Sequence, residues 1–154
     1  MKNIILTRID DRLLHGQVMV SWIPLLEINE VIIIDDEYAA DEFMSNLIVE
    51  SSPVNLTVKV LSVKDSAEYI LSGSNDSRVL LISRSVESIN NLLEMKVPIH
   101  KINVGGLGYL EGRKKYYNFI HMSDNEFKLL KEIAGKGISV EVQMLPKDKV
   151  TTLK

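Results

Sequence analysis

The chain has 154 residues, no cysteine and a formal net charge of −3 at pH 7. That length predicts one domain, residues 1–154, able to bury a core without staples. The composition excludes disulfides, thiolate metal sites and a cysteine nucleophile, and it argues against a general affinity for nucleic acid.

The chain opens with Met1-Lys2-Asn3 and the apolar run Ile4-Ile5-Leu6, too short for a signal-peptide core. No later apolar run approaches the length of a membrane span, so a cytoplasmic domain is expected. Residues 3–6 read as the first strand. Residues 14–25 are apolar nearly all round and predict a buried helix, broken at its end by Pro24. The run "VIII" marks a strand over 31–35, and Asp35-Asp36-Glu37 reads as its closing turn and the next helix start. Met44, Leu47 and Ile48 make a helical stripe ended by Ser51-Ser52-Pro53. A strand over 56–61 follows, then a short helix carrying Ala67, Ile70 and Leu71, then a surface turn over 73–77. Residues 78–83 are a strand, and Val86, Ile89 and Leu93 form a helix before Pro98. Strands are predicted at 101–104 and 118–121, with Lys114-Lys115-Tyr116-Tyr117 between them as a solvated turn. Ser123 and Glu126 fit a capping box for a helix through Phe127, Leu130 and Ala134, stopped by Gly135 and Gly137. A last strand is predicted at 139–144.

Continuous apolar strands alternating with helices predict a three-layer α/β/α sandwich around a mainly parallel sheet of six or seven strands. Ligands of such sheets bind beyond the carboxyl ends of the strands. "RIDDRLLHGQV", residues 8–18, lies there, between the first strand and the first helix. His15 is expected in the first helical turn or its cap, where free backbone N–H groups and the helix dipole favour an anion. Gly16 lets a bulky anion approach, with Gln17 beside it, and Arg12 can lay a planar fork on phosphoryl oxygens. A neutral imidazole is a competent nucleophile near pH 7. One carboxylate could hold Arg12; one could accept from the second ring nitrogen and fix the tautomer, with Asp10 preferred over Asp11 for that. On these residues alone, a phosphoryl acceptor and a solvated loop histidine are equally good readings.

Other segments offer less. "GGLGY" can bring Gly105 and Gly106 to a phosphate, or can be a tight turn needing positive φ; no Walker motif follows it. Asp35-Asp36-Glu37 could suggest Mg²⁺ or a phosphoaspartate, but a strand-end turn is the better reading. Arg84, after Ser83, could reach an incoming phosphate or simply be solvated. His100 and His121 lack metal-ligand spacing and are read as structural; no metal and no cofactor are expected.

"RIDDRLLHGQVMVSWI" (8–23) closely resembles the start of the IIB component of the bacterial phosphotransferase system, mannose/fructose/sorbose class. The resemblance continues through "VIIIDDEYAAD", "KINVGGLG" and "GISVEVQMLPKD" and spans essentially the whole chain. It implies an α/β domain whose first-loop histidine takes a phosphoryl group from a IIA component. That group then passes to a sugar imported by membrane IIC and IID components, so the chain meets the membrane only through partners. The residues matching the family's are His15 as phosphohistidine, Arg12 as phosphoryl stabiliser and Asp10 as orienting carboxylate. Leu14 and Met19 stand where the family has small or β-branched residues and are read as core variation; Asp35-Asp36 replaces a frequent Asn-Asp. The competing functions are a non-catalytic anion-binding or regulatory module and a receiver-like regulator phosphorylated on Asp35 or Asp36.

Overall fold

A computed structural model describes residues 1–153. Seven strands form the main sheet: β1 (Asn3–Asp10), β2 (Glu30–Ile34), β3 (Thr57–Leu61), β4 (Arg78–Ser83), β5 (Lys101–Gly106), β8 (Ser139–Val142) and β9 (Thr151–Leu153). β6 (Lys114–Tyr117) and β7 (Ile120–Met122) make a separate antiparallel hairpin. The main sheet runs β3-β2-β4-β1-β5-β8-β9. Its first six strands are parallel and only β9 is reversed, against β8.

The apolar runs become buried central strands because both faces of the sheet are covered. Ile32, Ile34, Leu81 and Ile9 face one side, where α4 (Val63–Ser72), α5 (Val86–Glu94) and α6 (Asp124–Gly135) supply Ile70, Ile89, Leu92 and Leu130. Val31, Ile33, Leu80, Ile82 and Leu6 face the other, packed on Val18 and Trp22 of the first helical segment and, through Tyr38 and Ile48, on α2 (Asp36–Ala40) and α3 (Glu42–Glu50). That is the three-layer sandwich expected from the alternation of elements.

The topology locates the site. The helix leaving β1 packs on one face and that leaving β4 packs on the other, so a crevice opens between the carboxyl ends of these adjacent strands. The predicted capping box is present: Ser123 Oγ accepts from the Glu126 N–H at 3.1 Å and Glu126 accepts from the Ser123 N–H at 2.9 Å.

Four local expectations are corrected. β1 runs on to Asp10, so Arg8 and Asp10 are strand residues rather than loop residues. The first helical segment is not buried all round: Val18 and Trp22 are buried, but Val20 is 76% and Leu25 61% exposed. That segment winds as a π-helix over Val18–Trp22 and continues as α1 (Ile23–Leu25), with Pro24 inside it. Proline lacks the N–H for the preceding turn and crowds its carbonyl, and the wider winding accommodates that. Lys114–Tyr117 is a strand, its partner β7 beginning at Ile120. Cross-strand pairing and the stacking of Tyr116 on Phe127, ring centres 4.2 Å apart, supply the order that the local sequence does not.

Candidate functional site

β1 presents alternate side chains to opposite faces. Leu6, Arg8 and Asp10 therefore share the face that carries Trp22, while Ile9 points into the opposite core. Beyond Asp10 the chain turns sharply: the Leu13 N–H donates to the Asp10 carbonyl at 3.0 Å and Leu13 takes φ 56°. His15 then sits at the cap, its carbonyl accepting from the Met19 N–H at 2.9 Å, with Gly16 first in the helical segment.

The turn folds the loop back over Asp10, whose side chain is wholly buried. Oδ2 lies 3.0 Å from His15 Nε2. Oδ1 accepts from the Arg12 backbone N–H and from Arg12 Nε, each at 3.1 Å, and Oδ2 from Arg12 Nη2 at 3.2 Å. Arg8 adds Nε at 3.3 Å and Nη2 at 3.1 Å, both to Oδ2. Burial pushes the Asp10 carboxyl up, but the hydrogen bonds from Arg12 and His15 and the charge of Arg8 outweigh it and hold it below the ordinary carboxylate range. An ionised carboxylate only accepts, so His15 Nε2 is the donor to it, and in the neutral tautomer this leaves the lone pair on Nδ1. A single aspartate thus does both jobs that the sequence left divided between two. Asp11 turns away and accepts from the Gly108 N–H at 2.6 Å.

Arg12 is 40% exposed and His15 16%. The Arg12 fork is aimed by Asp10 on one side and by Gln17 Oε1, 3.2 Å from Nη1, on the other. A Cβ on Gly16 would meet nothing within 4 Å, so there is open space beside the helix start.

The glycines of β5 do something other than expected. Gly105 and Gly106 are buried strand residues, and neither has positive φ. A Cβ on Gly105 would overlap the Arg8 guanidinium; one on Gly106 would lie 3.1 Å from Arg12 Nη2 and 3.2 Å from Asp10 Oδ1. They make room for arginine side chains. Arg84 is likewise committed. It binds Asp35 through Nε and Nη2 and Glu37 at 3.1 Å, and stacks 4.1 Å from the Tyr38 ring centre. Asp35 also caps α2 by accepting from the Tyr38 N–H, as a helix start requires, and Asp36 accepts from the Val63 N–H at the start of α4 at 2.8 Å.

Two cavities flank Arg12. One of about 420 Å³ is lined by Leu14, Met19, Tyr38 and Met44, and Leu14 also packs against the core around Val18 and Trp22. The other, about 340 Å³, joins Arg12 and Gln17 to Phe119, His121 and Met144. His121, taken from sequence as structural, therefore lies on the rim of the site; β6–β7 pairing, invisible in local spacing, carries it there. His100 is exposed at the other end of β5. No cluster of metal-ligating side chains occurs among the described residues.

Residues 4–154 match the family described as PTS system sorbose subfamily IIB component. The fructose-specific EIIB component of Bacillus subtilis is 31% identical over 149 residues, covering 96% of this chain and 91% of that protein. The mannose-specific EIIAB component of Escherichia coli is 31% identical over 147 residues, 93% of this chain and 45% of that longer protein. Among solved structures, the N-acetylgalactosamine-specific IIB component 1 of Escherichia coli superposes with a TM-score of 0.90 at 27% identity, covering 99% of this chain and 100% of that one.

Proposed function

The chain belongs to the sorbose-subfamily IIB components of the bacterial phosphotransferase system, and from that premise we propose that His15 Nδ1 accepts a phosphoryl group from a IIA component and delivers it to a sugar. The observation that carries this reading is the Nε2–Asp10 hydrogen bond at 3.0 Å, which leaves the other ring nitrogen free to attack. In the first step the Nδ1 lone pair forms the new P–N bond while the bond to the donor histidine breaks and its electron pair returns to the donor. The proton stays on Nε2, and the phosphoimidazole that results is cationic at the ring, next to the Asp10 carboxylate. Arg12 is aimed at the same space and supplies N–H donors to the phosphoryl oxygens in flight. Gly16 and Gln17 border that space, and the start of the helical segment offers unpaired N–H groups. In the second step a sugar hydroxyl attacks phosphorus, its proton passes to solvent or a partner's base, and His15 recovers its lone pair.

The partners in this reading are IIA as donor and membrane IIC and IID components, with bound sugar, as acceptor. The EIIAB relative joins the two soluble functions in one chain by name, which supports a IIA donor here. No helix among the described residues is long and apolar enough to cross a membrane, and a cytoplasmic protein that reaches the membrane through IIC and IID fits that. The reading calls on no cofactor and no metal.

Incubation with upstream phosphoryl donors, followed by intact mass and site mapping, tests the proposal. One phosphoryl group on His15, labile in acid and stable in base, is the expected result. His15→Ala should take up none while keeping its fold. Phosphate retained on Asp35, Asp36 or His121 in that variant would overturn the assignment. No covalent phosphate on the unmodified chain would point to an anion-binding module instead.

A further inference from the structure

Arg8 is a charged side chain with no exposure to solvent, and the transfer described above makes no direct use of it. A guanidinium carries five N–H donors, and here each has an acceptor. Nε and Nη2 donate to Asp10 Oδ2; Nη2 also donates to the Met144 carbonyl at 3.0 Å. Nη1 donates to Asn103 Oδ1 at 2.6 Å and to the Gln143 carbonyl at 3.2 Å. The Met144 carbonyl accepts as well from Trp22 Nε1 at 2.9 Å, and the Arg8 guanidinium carbon lies 5.4 Å from the Trp22 ring centre. The fork lies over the β5 backbone where a Cβ at position 105 would strike it.

We propose that Arg8 is a positioning residue for phosphoryl transfer: it anchors Asp10 from inside the fold, so that one carboxylate can aim both His15 and Arg12, and Gly105 provides the space it occupies. The proposal rests on the phosphocarrier reading. Asp10 faces three cationic or protonatable groups, Arg8 from β1 and Arg12 and His15 from the loop. On the β5 side Gly106 offers only backbone, and the Asp11 carboxylate is engaged by Gly108. With Arg8 in place, the charge of Asp10 is shared between two guanidinium groups. Without it, the carboxylate acts more strongly on His15 and favours the doubly protonated ring, which has no lone pair to attack with.

The test compares Arg8→Met, Arg8→Lys and Gly105→Ala with the parent chain. The readouts are the pH profile of phosphoryl acceptance from a phosphorylated IIA donor and ¹⁵N NMR of the His15 ring in the unphosphorylated protein. Arg8→Met should slow acceptance by roughly tenfold or more and move the acid limb of the profile to higher pH. Its ring nitrogens should lose the pattern of a single Nε2–H tautomer near neutral pH. Arg8→Lys keeps the charge without the fork and should restore the position of the acid limb but not the full rate. Gly105→Ala removes no side chain of the site but displaces the Arg8 guanidinium, and should also slow acceptance. A role limited to stability would lower the folded fraction without moving the limb. Arg8→Met and Gly105→Ala with the parent's pH profile and His15 ring signals would overturn the proposal. Absence of phosphate from His15 in the parent chain would instead overturn the phosphocarrier reading, while the NMR comparison still decides the role of Arg8.

Discussion

At the scale of single residues, Asp10 dominates. It receives Arg8, Arg12 and His15 on two oxygens and has no exposure of its own. Because its folded-state pKa lies below the ordinary value, the stability it contributes is complete above the unfolded carboxylate's range and lost as pH falls through the folded value. Glu126, lowered in the same direction, adds to that loss: burial pushes it up, but Arg113 and the Ser123 N–H outweigh burial. Denaturant midpoints should therefore fall as pH drops below about 4, and Asp10→Asn should flatten the fall. Equal slopes in both proteins would contradict the charge assignment. Arg12 is held by its planar fork between Asp10 and Gln17, a geometry that an ammonium group does not reproduce. Arg12→Lys is expected to slow sugar phosphorylation by at least about tenfold, equivalent to about 1.4 kcal/mol of barrier, as measured by single-turnover transfer from the phosphorylated protein. Acceptance from a IIA donor should suffer less, because such a partner can supply hydrogen-bond donors of its own.

At the scale of elements, the N-terminus of α6 is tied to the rim of the site. Glu126 closes the capping box and also takes Arg113 on both oxygens, at 2.9 and 2.8 Å. Arg113 donates in turn to the Gly108 carbonyl at 3.1 Å, and the Gly108 N–H donates to Asp11. Ser123→Ala removes one cap acceptor and should cost about 1 kcal/mol. Glu126→Ala removes a cap acceptor and leaves the Arg113 guanidinium, whose side chain is only 11% exposed, without its carboxylate. It should therefore destabilise more than Ser123→Ala in urea unfolding and speed amide exchange at Gly108. The reverse order of stabilities would show that the pair with Arg113 contributes nothing.

At the scale of the molecule, parallel strands bring the ends of β1, β2, β4 and β5 to one edge of the sheet. His15 and Arg12 stand there, bordered by the 107–113 loop and the β6–β7 hairpin on one side and by α2 and α3 on the other. A carrier that receives and delivers the same phosphoryl group must present the same atoms to both partners. The IIA and membrane footprints should therefore overlap around His15, and binding should be mutually exclusive and weak. NMR shift mapping with unphosphorylated IIA should place the perturbed amides in residues 8–17 and near Gly108. Perturbations confined to residues 73–77, at the amino ends of the strands, would contradict this face.

Much of this was legible in the residues in order. Unbroken apolar runs such as "VIII" and "VLLI" require a sheet covered on both faces, and alternation with helical stripes requires parallel strands. The Ser123–Glu126 spacing fixes the start of a helix because capping is a contact within one turn. His15, Arg12 and Asp10 stood out because they crowd one strand-to-helix junction, and a short turn joins them. What distant segments decide was not legible. A strand that continues through charged residues looks like its end, so Arg8 was lost to the loop until Asn103, Gln143 and Met144 supplied its acceptors. The purpose of Gly105 depends on a side chain 97 positions away in the sequence, and His121 reaches the rim only through a hairpin held by cross-strand bonds. Burial, pairing and the proton carried by a ring nitrogen are properties of neighbours in space, and the tertiary fold alone brings those neighbours together.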